Sequence, residues 1–569
     1  MQMPVSLREL GALSVRQAHR LACRIMRNAF LLALCVSLPS SRAAESTPGT
    51  TPPGAPAETC AALANFNLED APGGPALITS ARLVAPGPSG LERWILTPSG
   101  FGSDADKAVG RIRAYCDVTG YVAPQNKFEL KLPPPEDWNG NFFFYACGAF
   151  CGTVFGDSSN LGLARGYASA TGNGGHDSAW GFDGVWAANA PELQEDFGWR
   201  SNHVVALAAK AITAHYYGKA IKHSYMAGGS KGGQAVLMEA QRFPEDFDGL
   251  MASAPVYDYT GRNTYAAAWF AQAISDGRGG SVLNAAAAEV VHKSVLEHCG
   301  AQDGVEEGMV IDPPSCKWQP EMIACEPRRD GPDCLSSKQA AAVKRLMTPV
   351  TNSKGQVLYA YPYIPGTETM WAGWNYFGAP RQGITPRLAN LELPRQYGEY
   401  LLDERIRKNE DALTFDFDRD PVTFTRARRI YDATSFDLRE FKARGGKLLV
   451  WHGWADGAIM ATSSIGYYQG VLEFMGGRKQ VEDFFRLFLV PGVHHSGGGP
   501  GFTEFDAMSA LENWVERGQP PDKFIACRSN QGTARRCRPI FPYPIVARYY
   551  GKGDPKQAES FLPFDPTEH

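Results

Sequence analysis

The sequence SYMAGGSKGGQAVLMEAQR spans residues 224–242 and sets the expectation for the whole fold. Its first four residues, 224–227, are typical of a buried strand, and residues from about 234 to 242 are typical of a helix. Between them lies the pattern Gly-x-Ser-x-Gly at 228–232. In a strand–turn–helix context the glycines permit a cramped turn that exposes the Oγ of Ser230 above a sheet. The segment therefore predicts a serine nucleophile, although glycine-rich turns that contain serine are common.

Two later segments supply the partners that such a serine needs. Asp456 and His495 each follow a short apolar stretch that is typical of a strand. The order Ser, Asp, His is that of the α/β-hydrolase fold. In that chemistry the histidine takes the serine proton and the aspartate orients and stabilises the imidazolium. On these grounds alone His452 and His494 remain competing bases.

The pattern around these motifs indicates an α/β protein with a mostly parallel sheet, because strands alternate with helices and lead into polar loops. The predicted strands are 128–132, 141–146, 447–451 and 486–490, and further helices are predicted at 204–215 and about 504–517. The last helix is predicted to open on a capping box, Thr503-x-x-Asp506.

An acyl-transfer site also needs backbone N–H groups that stabilise an oxyanion. Lys231 directly follows the predicted nucleophile and is expected to supply one of them. The second is expected in the loop after the early strand, at Gly148 or its neighbour Cys147. The Lys231 side chain itself is expected to be solvated.

The N-terminal region is typical of an exported protein. Residues 1–44 combine arginines, a short apolar stretch and small residues before Ala44, which predicts a signal peptide, and 45–58 are a Pro/Thr/Ala linker. The apolar stretch is too short to span a bilayer, and no second one of membrane length follows. A secreted or periplasmic location without stable membrane insertion is expected.

Cysteine usage agrees with an oxidising compartment. Of the 12 cysteines, Cys23 and Cys35 fall in the predicted signal peptide, which leaves ten, an even number. Sequence neighbours suggest the pairs Cys60–Cys116, Cys147–Cys151, Cys299–Cys316, Cys325–Cys334 and Cys527–Cys537, although ten cysteines allow many connectivities.

An insertion is predicted between about 258 and 432, where cysteines, aromatic residues and irregular loops replace the alternating pattern. It would form a lid over a core made of 59–257 and 433–569. Trp371 and Trp374 are expected to line the substrate pocket, although aromatic residues also pack any apolar lid onto its core.

Composition excludes some function classes. The 569 residues are 44% hydrophobic and 20% charged, as in a globular protein, and the formal charge is −4 without long runs of either sign. Nucleic-acid binding is therefore not expected.

Several stretches together resemble the tannase/feruloyl esterase family, which also contains a hydrolase of mono-(2-hydroxyethyl) terephthalate. They are Trp138-Asn139-Gly140, 196–200 (DFGWR), Gly229-Ser230-x-Gly232-Gly233, 242–249 (RFPEDFDG), Ala254-Pro255, 445–448 (GGKL), 452–456 (HGWAD) and Pro491-Gly492-x-x-His495. The resemblance implies an α/β-hydrolase core with an inserted lid, hydrolysis of small-molecule esters of aromatic acids, and no cofactor for catalysis. It also favours His495 over His494.

The chain departs from the family pattern in three places: the oxyanion loop, which is here 146–152 (ACGAFCG), a disulfide bond and a metal site. The family usually has bonded cysteines next to the nucleophile and next to the histidine, where this chain has Gly229 and Ser496. The resemblance also implies a structural calcium ion in the lid, bound by side chains or carbonyls of Asp303, Val305, Glu307 and Met309. Gly300 stands where the family has an aspartate, which should weaken that site because calcium takes six to eight oxygen ligands.

The expected function is thus a secreted serine esterase for carboxylic esters of phenolic acids. A general short-chain or terephthalate-monoester hydrolase is one alternative, and a catalytically inactive exported binding protein is another. The sequence predicts no particular oligomeric state.

Overall fold

The computed structural model describes residues 56–88, 99–102, 110–178, 181–278, 280–326, 331–371, 389–402, 412–529 and 535–567. The predicted signal peptide, Trp374 and most of the predicted linker lie outside these residues. The first described helix begins at Pro56, so the last residues of the predicted linker are helical. The described residues belong to one compact unit made of 54–378 and 387–569.

A mostly parallel sheet organises the chain. Its strands are β1 (Ala76–Val84), β2 (Tyr115–Val122), β3 (Asn126–Leu132), β4 (Phe142–Tyr145), β5 (Ala168–Gly172), β6 (Ser224–Gly229), β7 (Gly249–Ser253), β8 (Lys447–Gly453) and β9 (Phe485–Val490). Their order across the sheet is β1-β2-β3-β5-β4-β6-β7-β8-β9. The strands from β4 to β9 run parallel, whereas β1, β2 and β3 add an antiparallel edge. This architecture confirms the predicted α/β class.

Four long helices flank the sheet: α1 (Ser201–Tyr217), α2 (Lys231–Arg242), α3 (Ala461–Met475) and α4 (Ala507–Arg517). Other described α-helices are Pro56–Ala62, Asn160–Ala164, Pro191–Glu195, Tyr259–Gly261, Ala267–Ile274, Ala285–Cys299, Ser337–Leu346, Ala389–Gln396, Thr425–Tyr431, Arg439–Ala443 and Arg478–Val481. Helix α4 begins later than predicted, because the Asp506 side chain accepts a hydrogen bond from Ser509 N at 2.8 Å and so acts as the N-cap.

Successive residues of the central strands face opposite sides of the sheet. Phe142 and Phe144 belong to the apolar cluster beneath α1, α2 and α3, whereas Phe143 belongs to the cluster beneath α4. Leu449 and Trp451 also lie on the α4 side, and all of these side chains are buried. Parallel strands covered on both faces need apolar residues on both, so the continuous run of phenylalanines in β4 is explained.

The chain between β7 and β8 builds a second core. Buried residues such as Tyr259, Val291 and Trp371 pack with Phe150 and Phe197, which come from the segments after β4 and before α1. Short antiparallel pairs also occur outside the large sheet: Gly87–Pro88 with Arg111–Ile112, Val350–Thr351 with Val357–Tyr359, and Val546–Tyr549 with Phe561–Phe564. The arrangement agrees with an inserted lid, whose boundaries at 258 and 432 stay a prediction.

Disulfide bonds join the pairs that the sequence suggested. They are Cys60–Cys116, Cys147–Cys151, Cys299–Cys316, Cys325–Cys334 and Cys527–Cys537. The last of these lies in a hairpin of β10 (Phe524–Arg528) and β11 (Arg536–Ile540). Within the described part of the chain, none of the helices has the length and apolar character that crossing a bilayer requires.

Candidate active site

Ser230 lies on a strained turn between β6 and α2. Its backbone has φ 59° and ψ −119°, a conformation that non-glycine residues rarely adopt. The turn is held by a hydrogen bond from Ser230 N to Ser253 O at 2.9 Å. A side chain at Gly228 would lie 2.6 Å from the carbonyl carbon of Gly232, so glycine is needed there. The predicted strand–turn–helix geometry is therefore present, and α2 begins directly after the serine.

Asp456 and His495 meet beyond the ends of β8 and β9. The Nδ1 atom of His495 is 2.7 Å from Asp456 Oδ2, and the other carboxylate oxygen accepts hydrogen bonds from Ala458 N and Ile459 N at 2.7 and 3.0 Å. Asp456 is fully buried, whereas 15% of the His495 side chain is exposed. Burial by itself would raise the pKa of Asp456, but His495 and His452 together hold that pKa well below its usual value. The carboxylate is thus ionised and positioned to orient the imidazole.

His452 supports the aspartate instead of competing with His495. It is fully buried, and its Nε2 lies 3.1 Å from Asp456 Oδ2 and 2.9 Å from Ile459 O. Two acceptors on one nitrogen require that nitrogen to carry the proton. Its Nδ1 is 2.8 Å from Ser464 Oγ. The sequence pattern indicated His452 only as a rival base, although its position four residues before Asp456 is the signal that could have indicated this contact.

His494 faces the predicted lid. Its Nε2 lies 2.8 Å from Thr369 Oγ1, and burial lowers its pKa, a shift that the nearby Asp456 opposes. Next to this contact, Gly457 N donates to Met370 Sδ at 3.1 Å. The segment around Thr369 therefore covers the loops that carry the aspartate and the histidine.

The loops of Ser230 and His495 meet through their neighbours in the chain. A Cβ atom at Gly229 would lie 3.3 Å from Ser496 Cβ and 2.7 Å from Ser496 Oγ. Ser253 Oγ and Ser496 Oγ are 3.4 Å apart, and Ser99 N donates to Ser496 O at 3.2 Å. Close packing and these hydrogen bonds occupy the place where the family usually has a disulfide bond.

The loop after β4 lies against the start of α2. A Cβ atom at Gly232 would be 2.8 Å from Ala146 O and 3.1 Å from Cys147 O. Gly148 follows directly, and its carbonyl accepts from Cys151 N at 2.9 Å within the small disulfide-closed loop. The backbone N–H groups of Lys231 and Gly148 are thus located near the serine turn, as an oxyanion site requires, but their role stays a prediction.

The Lys231 side chain is buried, contrary to the expectation that it is solvated. Only 2% of the residue is exposed, and its Nζ lies 4.5 Å from the centre of the Phe197 ring. His176 stands nearby, stacked on Trp186, and burial lowers its pKa to about 3, so it is neutral. Burial also lowers the pKa of Lys231 to about 7. The aromatic ring face is a weak substitute for the water that the ammonium group loses.

Trp371 and Trp374 were predicted to contact substrate. Trp371 is buried in the core of the inserted segment, where Nε1 donates to Thr367 Oγ1 at 3.2 Å and the ring packs edge-on against Tyr363. Its chain neighbours Thr369 and Met370 touch the His494 and Gly457 loops. Trp371 therefore supports the lid beside the site, and substrate contact by either tryptophan remains a prediction.

The residues implied for calcium do not fit that ion. The Glu307 carboxylate is ion-paired, with Arg538 Nη2 2.6 Å from Oε2 and Arg536 Nη1 3.1 Å from Oε1. Calcium needs six to eight oxygen ligands at about 2.3–2.6 Å, and guanidinium groups at these positions oppose a dication. These ion pairs argue against the expected set of Asp303, Val305, Glu307 and Met309, which stays a prediction.

A second cluster of possible metal ligands has a lysine, Lys210, beside it. Ligand atoms of His203, Glu239 and Asp246 lie within 4.8 Å of one another. Lys210 Nζ donates to the Asp246 carbonyl, and burial raises the pKa of Glu239 well above its usual value, with Asp246 adding to the rise. The raised pKa of Glu239 and the lysine beside Asp246 therefore argue against a metal ion at this cluster.

A serine on a strained turn after a parallel strand, with an aspartate–histidine pair after two later strands, defines an α/β-hydrolase. Comparison with known proteins agrees. The model of the tannase and feruloyl esterase family matches residues 107–563. The chain therefore belongs to that family, and it is a carboxylic ester hydrolase.

Similar proteins cover most of the chain. A mono(2-hydroxyethyl) terephthalate hydrolase of Piscinibacter sakaiensis is 31% identical over 530 residues, covering 79% of this chain and 85% of the relative. A probable feruloyl esterase B-1 of Aspergillus flavus is 28% identical over 463 residues, covering 77% of this chain and 84% of the relative. The crystal structure of an esterase from Aspergillus oryzae has a TM-score of 0.75 and 25% identity, covering 89% of this chain and 99% of that one.

Replacement of Lys231 by methionine should stabilise the protein at low pH. Below about pH 7 lysine is protonated in both the folded and the unfolded chain, so the folded state carries the cost of a buried charge. Between about 7 and the usual 10.5 the unfolded chain alone keeps the proton, so wild-type stability rises with pH relative to the variant. In urea unfolding, the free energy of unfolding of Lys231→Met should exceed that of the wild type by roughly 2–4 kcal/mol at pH 6, and this difference should shrink toward pH 10. Lys293→Met, at an exposed lysine, is the control, and an advantage independent of pH would contradict the account.

A disulfide bond should form between cysteines placed at 229 and 496. The Cβ separation of 3.3 Å is close to the range of natural disulfides. Because Ser253 Oγ lies 2.7 Å from the new Cβ, the pair is best built on Ser253→Ala. In urea unfolding, the free energy of unfolding of the double-cysteine variant should exceed that of the double-alanine variant Gly229→Ala, Ser496→Ala by about 2–4 kcal/mol, with Ser253→Ala in both. Two free thiols in the purified protein, detected by alkylation and mass spectrometry, would show that the loops are farther apart.

Proposed function

We propose that this protein hydrolyses carboxylic esters of phenolic or other aromatic acids through an acyl-enzyme on Ser230. The observation that carries the proposal is the Asp456–His495 hydrogen bond at 2.7 Å, on a loop that packs against the serine turn. The geometry supports this chemistry more directly than a binding function, since an inactive scaffold has no need of an ionised, buried aspartate on an oriented histidine.

Each residue has a defined task in the proposed reaction. His495 removes the proton from Ser230 Oγ as the oxygen attacks the ester carbonyl, and it then protonates the leaving alcohol. Asp456 stabilises the imidazolium, and the N–H groups of Lys231 and Gly148 stabilise the oxyanion. Water attacks the acyl-enzyme in the second half of the reaction, with the same histidine as base. No cofactor takes part, and the calcium ion implied by the resemblance is not part of this proposal.

The aromatic acid part of the proposal rests on the relatives and on the lid. The relatives' names point to feruloyl and terephthalate esters. The inserted segment that touches His494 through Thr369 is rich in buried aromatic residues, including Tyr363 and Trp371. A flat apolar acyl group suits such surroundings, because aromatic pairs add attraction beyond the area that they bury.

Export to the periplasm or the medium is proposed on two grounds. The predicted signal peptide at 1–44 supplies a targeting sequence. Five disulfide bonds agree with an oxidising compartment. The mass of the mature protein, expected to lack residues 1–44, tests this point.

Initial rates on methyl ferulate, methyl gallate and methyl acetate test the substrate class. Since the alcohol is the same, the comparison isolates the acyl group, and the aromatic esters should have at least a ~10-fold higher kcat/KM. A preference for the acetate would overturn the aromatic assignment and favour a general short-chain esterase. Preference for mono(2-hydroxyethyl) terephthalate over methyl ferulate would instead favour a terephthalate-monoester hydrolase.

The same assay with variants separates the enzyme from an inactive binding protein. Ser230→Ala should lower kcat/KM on all esters by at least ~10⁴-fold, because the nucleophile is removed. Ser337→Ala, at an exposed serine at the start of a helix, should leave the rates unchanged. Equal hydrolysis rates for the wild type and Ser230→Ala would refute an acyl-enzyme on Ser230.

A further inference from the structure

Three arginines surround the acidic loop at Asp303 and Glu307. They come from the two strands of the C-terminal hairpin, where Arg528 on β10 lies opposite Arg536 on β11, and Arg538 follows two residues later. The Cys527–Cys537 disulfide joins the strands next to the Arg528–Arg536 pair. The hairpin thus presents guanidinium groups to one loop of the inserted segment.

Arg538 is the most buried of the three. Only 2% of its side chain is exposed, Nη2 lies 2.6 Å from Glu307 Oε2, and Nε lies 3.9 Å from Asp303 Oδ2. Its Nη1 donates to Pro555 O at 2.7 Å, and the guanidinium lies 3.5 Å from the centre of the Phe561 ring. The group is therefore held from several sides and cannot leave without breaking these contacts.

Arg536 and Arg528 add positive charge next to Glu307. Arg536 Nη1 lies 3.1 Å from Glu307 Oε1, and Arg528 Nη2 donates to the Glu307 carbonyl at 3.1 Å. Two carboxylates therefore face three fixed positive charges, which leaves no excess negative charge for a dication.

The arginine cluster also contacts the loop that carries His495. Arg528 Nη1 donates to Pro500 O at 2.6 Å. On the acidic loop, Met309 Sδ lies 2.8 Å from the position of a Cβ atom at Gly492, three residues before His495. The acidic loop therefore contacts one end of the histidine loop through Met309, and Arg528 contacts the other end through Pro500.

We infer that Arg538, with Arg528 and Arg536, takes the place of the calcium ion in this chain and fixes the acidic loop without a metal. The guanidinium of Arg538 supplies the positive charge between Asp303 and Glu307, and the hairpin supplies the rigidity. The inference concerns stability and metal content, so it stands apart from the proposed ester hydrolysis.

The full-length mature protein, purified with its disulfides intact, gives the first test. Metal analysis should find well below one calcium per chain, and the Tm in about 1 mM EDTA should match that in about 10 mM CaCl₂ to within ~1 °C. A stoichiometric calcium ion, or a Tm that falls by several degrees with EDTA, would overturn the inference.

Variants give the second test. Arg538→Gln should lower the Tm in EDTA by about 5 °C or more, since two buried carboxylates lose their partner. The Tm of Arg538→Gln should also rise when calcium is added, whereas the Tm of the wild type should not. Loss of an arginine with only a structural role would lower the Tm without making it depend on calcium. Arg535→Gln, which removes an exposed Arg–Glu pair beside the same hairpin, is the matched control and should change the Tm by less than ~1 °C.

Either of two results with the variant would reject the inference. One is an unchanged Tm, and the other is a lowered Tm that calcium does not raise. Should Arg538→Gln fail to fold, Arg536→Gln offers the milder change, because 32% of the Arg536 side chain is exposed. The metal analysis of the wild type decides independently of both variants.

Discussion

The hydrogen bonds of one buried carboxylate organise the site. Asp456 lies beneath the surface with both oxygens in use, one by His495 and His452 and the other by the backbone of Ala458 and Ile459. A buried charge is tolerated only when donors replace the water that it loses. Because Nδ1 of His495 is committed to the carboxylate, Nε2 is left as the basic nitrogen. The proton transfer proposed for Ser230 depends on that assignment.

The loop that carries His495 is held without the disulfide bond that its family usually places there. On one side Ser496 packs against Gly229 and lies near Ser253. On the other side the arginine hairpin reaches the loop through Pro500. The contacts of Ser496 and the hydrogen bond from Arg528 to Pro500 therefore act on the same loop. At Ser496, packing and hydrogen bonds stand where the family usually has a disulfide bond.

Much of the fold could be predicted because local patterns determined it. The apolar run of β4 and the strand–turn–helix at Ser230 lie where the sequence indicated. Helix α4 begins later than its pattern suggested, since the predicted capping box starts at Thr503 whereas Asp506 is the N-cap and is bonded to Ser509 N.

The less predictable features depend on residues far apart in the sequence. The burial of Lys231 depends on Phe197, and the pairing of Glu307 depends on Arg538, which lies more than two hundred residues away. Neither partner is visible in a local window. The contact between His452 and Asp456 is close in sequence, but it also requires the turn after β8 to bring the two side chains together.

The most direct measurement is the rate and position of labelling by a fluorophosphonate. In the wild type, peptide mapping by mass spectrometry should find the adduct on Ser230. Labelling should slow by at least ~10³-fold in His495→Ala but by less than ~10-fold in His494→Ala, because Asp456 orients only the former as the base. An adduct on another serine, or labelling that survives His495→Ala and is lost in His494→Ala, would contradict the account.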